Sequence, residues 1–131
     1  MVRSGGLTDA LAADISLKLE TRQRTRSFKD RGAFVKLKQV EQEKNNGIIV
    51  ISAGNHAQGV AYHAQRLEIA ATIIMPKGTP FWKIALTRGS GARVVLEGDS
   101  VSDAKPYADE IANKEGLVFV HPYEDMHIIG G

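Results

Sequence analysis

The chain has 131 residues, 43% apolar and 24% charged, the proportions of one ordinary globular domain with a single core. A net charge of +2 with both signs interspersed leaves no basic tract for nucleic acid, and the lack of cysteine excludes disulfides and thiolate metal sites. No apolar run reaches membrane-spanning length and Met1–Gly6 has no signal-peptide core, so a soluble cytoplasmic protein without nucleic-acid or membrane partners is expected.

In chain order, an amphipathic stretch after Gly6 leads to a plausible first strand over Ile15–Leu19. Stronger strands are predicted at Ile48–Ile51, Ala71–Met75, Ala92–Leu96 and Leu117–Val120, which are short and rich in β-branched residues. Three of them are nearly all apolar, as strands covered on both faces of a parallel sheet are. Between them Phe34, Leu37 and Val40, then Ala57, Val60, Ala61, Ala64 and Leu67, then Val101, Ala104, Ala108 and Ile111 recur at helical spacing. Phe81 and Trp82 open a further helix and read as packing residues, the alternative being an exposed patch. The alternation predicts an α/β fold, a three-layer open parallel sheet of βαβ units with helices on both faces. The segment 1–26 is expected to belong to a different structural layer from 27–131.

Two short segments carry the chemistry. In Ser27-Phe28-Lys29-Asp30-Arg31-Gly32-Ala33, Ser27 and Asp30 stand at capping-box spacing, with Asp in place of the usual Glu or Gln, which puts Lys29 in the first turn of a helix. A cation is disfavoured at that end of the helix dipole, and Arg31 adds to the pressure, so the neutral amine that attacks an aldehyde forms more readily there. Taken alone, the segment also fits a solvated surface lysine.

The second segment, Ser52-Ala53-Gly54-Asn55-His56-Ala57-Gln58-Gly59, follows a strand and opens a helix, where open α/β sheets bind ligands. Gly54 permits a tight turn, Ser52 or Asn55 is placed to cap the helix, and the amides around Asn55 and His56 suit a carboxylate or a phenolate oxygen. No two of His56, His63, His121 and His127 stand at i,i+4 spacing, so no metal site is expected.

These segments, with Leu17-Lys18-Leu19-Glu20, Arg24-Thr25, Ile74-Met75-Pro76, Gly91-Ala92 and His121-Pro122-Tyr123-Glu124-Asp125, resemble the fold type II pyridoxal-phosphate enzymes in the threonine dehydratase and serine racemase branch. The resemblance runs from end to end. It implies the small domain of that fold, with a short piece of the large domain over 1–26. It implies that Lys29 carries pyridoxal phosphate through an imine and acts as base at the substrate's α-carbon, and that Phe28 flanks the cofactor ring. Asn55 would bond the phenolic oxygen, and Ser52, Gly54, Asn55 and His56 would receive the carboxylate of a small amino-acid substrate. The implied reaction is β-elimination from L-threonine or L-serine, giving a 2-oxo acid and ammonia.

The resemblance also has departures. The family's glycine-rich phosphate loop and its partner to the pyridine nitrogen lie beyond the matched segments, so a truncated and inactive chain is expected, completed by a complementary chain or present as a homo-oligomer. Arg26 stands where the family commonly has glycine and Thr21 where it commonly has asparagine. The alternative expectation is a non-catalytic, free-standing α/β domain that self-associates or binds a protein partner.

Overall fold

The computed structural model describes every residue except Lys44. A short ribbon comes first: β1 (Val2–Arg3) pairs antiparallel with β2 (Ser16–Leu17) across α1 (Gly5–Leu11), a helix with no buried residue. The strand expected over Ile15–Leu19 is thus reduced to two residues, and it does not join the main sheet. Its register is set by a local partner at Val2–Arg3, in a stretch with too little apolar alternation to read as a strand.

A short 3-10 helix (Glu20–Arg22) leads to α2 (Lys29–Gln42), and the chain continues through β3 (Ile48–Ile51), α3 (Asn55–Arg66), β4 (Ala71–Met75), α4 (Phe81–Gly89), β5 (Arg93–Leu96), α5 (Val101–Glu115), β6 (Val118–Phe119) and α6 (Met126–Gly130). The four later strands form one parallel sheet in the order β5-β4-β3-β6, with Ile48 opposite Ala71 and Val118. β3 lies at its centre and is buried along its whole length. One face packs Val50, Ile73 and Met75 against Leu37, Val60 and Ile84 from α2, α3 and α4. The other packs Ile49, Ile51 and Ile74 against Ala104, Ala108 and Ile111 of α5. Alternate residues of β3 therefore feed two cores, so the strand reads as a continuous apolar run.

The path of the chain sets the functional end of the sheet. From β3 it runs outward through β4 and β5, then returns over the opposite face through α5 to β6 on the other side of β3. The carboxyl ends of β3 and β6 thus flank a point where the winding reverses, the crevice in which open α/β sheets bind ligands.

Two glycines let the helices around that crevice approach closely. A Cβ on Gly32 would lie 2.3 Å from the Ile128 carbonyl oxygen of α6, and one on Gly59 would lie 3.3 Å from both the Ala33 Cβ and the Lys29 carbonyl oxygen. The half-buried Lys36 and Asp125 pair at 3.0 Å also ties α2 to α6. Burial raises the Asp125 carboxyl, but Lys36 and the amides of His127 and Ile128 outweigh it and leave the group below its ordinary value.

Two other expectations fail. Phe81 is 79% exposed and Trp82 61% exposed, so they do not pack into the core; α4 turns Ile84 and Thr87 inward instead. In α2 the buried stripe is Ala33, Leu37 and Val40, with Phe34 left exposed.

Candidate active site

Lys29 does open α2, but the expected capping box is not formed. Asp30 takes the Thr25 amide on one carboxyl oxygen at 3.0 Å and a hydrogen bond from His63 of α3 on the other. The Ser27 hydroxyl accepts the Lys29 amide, at 3.3 Å, and not that of Asp30. Asp30 and His63 are both buried, with Phe34 and Tyr62 against the imidazole, so the carboxyl that spacing assigns to capping serves to fix the Lys29 turn onto α3. On the exposed side, Arg31 bonds Glu20 at 2.9 Å and holds its carboxyl at about 2.

The start of α3 carries no side-chain cap. Its N-cap is Gly54, and neither Ser52 nor Asn55 closes it, because the Ser52 hydroxyl accepts the Gly54 amide at 3.2 Å. The first helical bond runs from the Gln58 amide to the Gly54 carbonyl, leaving the amides of Asn55, His56 and Ala57 outside the helical ladder. Those amides and the positive end of the helix favour an anion.

One cavity of about 480 Å³ gathers Phe28, Lys29, Ser52, Gly54, Asn55 and His56, together with Ile51, Ala53, Val101, Pro122 and Tyr123. All six residues singled out from the sequence thus border one space, of the size that takes small ligands. Within it Lys29 Nζ donates to the Pro122 carbonyl at 2.6 Å and lies 4.2 Å from the centre of the Tyr123 ring and 5.4 Å from that of Phe28. Burial holds the amine below the ordinary lysine pKa, which eases formation of the nucleophile.

His56 is buried at the second position of α3, and its Nε2 donates weakly to the Val120 carbonyl at 3.4 Å. Desolvation pushes its pKa down to about 4 against the opposing effect of that carbonyl, so the imidazole is neutral at pH 7. Among the described residues its Nδ1 has no partner. Pro122 and Tyr123 entered the sequence reading only as part of a matched motif; the signal of their role is their place just beyond β6, adjacent to β3 in the sheet. Among the described residues no group of three or more His, Cys, Asp or Glu side chains is placed to hold a metal, and no helix is long and apolar enough to cross a membrane.

An amine, two aromatic faces and free helix-start amides around one cavity suit a flat aldehyde that carries negative charge. The comparisons with known proteins agree: residues 1–131 match the family described as pyridoxal-phosphate dependent enzyme. The chain belongs to the pyridoxal-phosphate dependent enzymes. Within the family it is similar to the L-threonine ammonia-lyase of Thermotoga maritima, 47% identical over 98% of this chain and 32% of the relative. Among solved structures it superposes on the processed form of threonine deaminase isoform 2 from Solanum lycopersicum with a TM-score of 0.89, 40% identity, and coverage of 98% of this chain and 36% of the other. Serine racemase from Dictyostelium discoideum shares the fold at a TM-score of 0.92 and 22% identity, over 99% of this chain and 43% of the other. The chain therefore spans about a third to two fifths of the length of these family members.

Proposed function

We propose that Lys29 is the cofactor lysine of a pyridoxal-phosphate lyase acting on L-threonine or L-serine in the cytoplasm, and that residues 1–131 form an incomplete site. What supports this is the convergence on one cavity of the half-buried Lys29 amine, the Phe28 ring and the uncapped start of α3. Lys29 would hold the cofactor through its aldehyde, and its amine, when free, would be the base placed to take the proton from the substrate's α-carbon. Asn55 would hold the cofactor's phenolic oxygen and Phe28 would pack against its ring. Ser52, Gly54, Asn55 and His56 receive the substrate carboxylate, with the amides of α3 as its counter-charge. Pyridoxal phosphate, when bound, supplies the electron sink.

Lys29 is the single Lys or Arg among the cavity's lining residues, so the cofactor phosphate has no cation of its own there. We therefore expect no 2-oxobutanoate from L-threonine with this chain and pyridoxal phosphate alone; robust turnover abolished by Lys29→Ala would overturn that. A second reading, a non-catalytic domain that associates with itself or a partner, is favoured by Phe81, Trp82 and Leu86 exposed together on α4. A monomer on sedimentation of the same preparation at micromolar concentration would count against self-association.

A further inference from the structure

Free lysine side chains on a protein surface are mobile, but Lys29 is held. Its Nζ donates to the Pro122 carbonyl at 2.6 Å with the Tyr123 ring centre 4.2 Å away. The turn that brings both groups there is itself fixed: His121 Nδ1 accepts the amides of Tyr123 at 3.2 Å and Glu124 at 2.8 Å, and Asp125 caps α6 through the His127 amide at 2.9 Å. A carbonyl oxygen and an aromatic face both favour an ammonium over a neutral amine.

We infer that Pro122 and Tyr123 form a cradle that docks the Lys29 side chain as an ammonium whenever its nitrogen is not bonded to a carbonyl compound, and that Tyr123 is the positioning residue that sets the pH of its release. The inference rests on the proposed role of Lys29 and deepens it. Bonding to an aldehyde requires the ammonium to give up a proton to solvent; the nitrogen lone pair then adds to the carbonyl carbon and water leaves. Every group that stabilises the docked ammonium therefore delays that step and, in return, receives the side chain when it is displaced. Burial acts in the opposite sense, and the balance keeps the amine both held and releasable.

Of the other ionisable groups on the elements packed about Lys29, His56 on α3 feels its charge, His121, Glu124 and Asp125 stand in the turn, and Asp30 and Arg31 on its own helix are engaged by His63 and Glu20. Exchanging Tyr123 leaves all of them in place. The side chain is 68% exposed, so the fold tolerates its replacement.

The test is the pH dependence of Lys29 acetylation by a trace of acetic anhydride, read by peptide mass spectrometry without pyridoxal phosphate, in the original chain, Tyr123→Phe and Tyr123→Leu. Leucine keeps the site apolar but removes the aromatic face. The midpoint for Lys29 is expected to fall by about half a unit in Tyr123→Leu and to stay in place in Tyr123→Phe. An unchanged midpoint in Tyr123→Leu, or an equal shift in both variants, would overturn the cradle. Because no cofactor is present, a chain that shows the shift yet never binds pyridoxal phosphate would keep the cradle and defeat the proposed function.

Discussion

Two helix starts in this chain carry the same Ser-x-x-Asp spacing and end up in opposite states. At α5, Ser100 and Asp103 form a full capping box on the surface, each closing the other's amide. At α2, the Ser27 hydroxyl accepts the Lys29 amide without Asp30, which is turned inward to His63 and the Thr25 amide. The starts of α2 and α3, which supply Lys29, Asn55 and His56 to the cavity, have no side-chain cap from their N-cap residue, whereas α5, whose first residue Val101 also lines the cavity, is fully capped.

The largest effect that tests this contrast is loss of the buried carboxyl. Asp30→Ala removes a hydrogen-bonded partner from buried His63 and is expected to cost about 3 to 4 kcal/mol in urea unfolding, against about 1 kcal/mol for Ser100→Ala at the exposed cap. Equal costs would mean that Asp30 is only another cap.

The next effect is acid lability at the α3 start. The folded pKa of His56 lies near 4, below the 6.5 of the unfolded chain, so falling pH favours the unfolded state, which binds the proton first. This contribution to stability is complete above about pH 6.5 and is lost progressively as pH falls through 4, about 3 kcal/mol in all. His56→Gln should lose less stability than the original chain between pH 7 and pH 4. The comparison cancels the carboxyl groups held low elsewhere, which also cost stability in acid. Identical slopes would show that His56 is not held neutral.

The contrast also explains what was legible in the sequence. The strands of the parallel sheet could be read because burial on both faces writes an uninterrupted apolar run, and Ile48–Ile51 and Ala71–Met75 have the expected bounds. The outer strands were harder. Ala92 and Leu117 fall outside β5 and β6, and β6 shortens to two residues. The cavity residues could be named because two local motifs carry them. What spacing could not show was the competitor for Asp30, since His63 lies 33 residues away and no local pattern links the two. The same spacing at Ser100 and Asp103 does mark a real capping box, at a helix read above only from its apolar stripe.

Arg26 was legible only as a departure from the family's glycine. The structure gives the physical reason: its φ is 59°, a left-handed conformation that costs a side chain about 1 to 2 kcal/mol and glycine far less. The residue strains the turn just before Ser27, on the approach to Lys29.

The central claim is that Lys29 stands in a preorganised half-site, and the most direct test is reductive trapping. Pyridoxal phosphate is added to the purified chain, borohydride fixes any imine, and peptide mass spectrometry locates the label among the nine lysines, with Lys29→Ala as control. Stoichiometric labelling of Lys29, lost in the control, is the predicted result. Label scattered over surface lysines such as Lys77 and Lys105, with Lys29 no more reactive than they are, would contradict it.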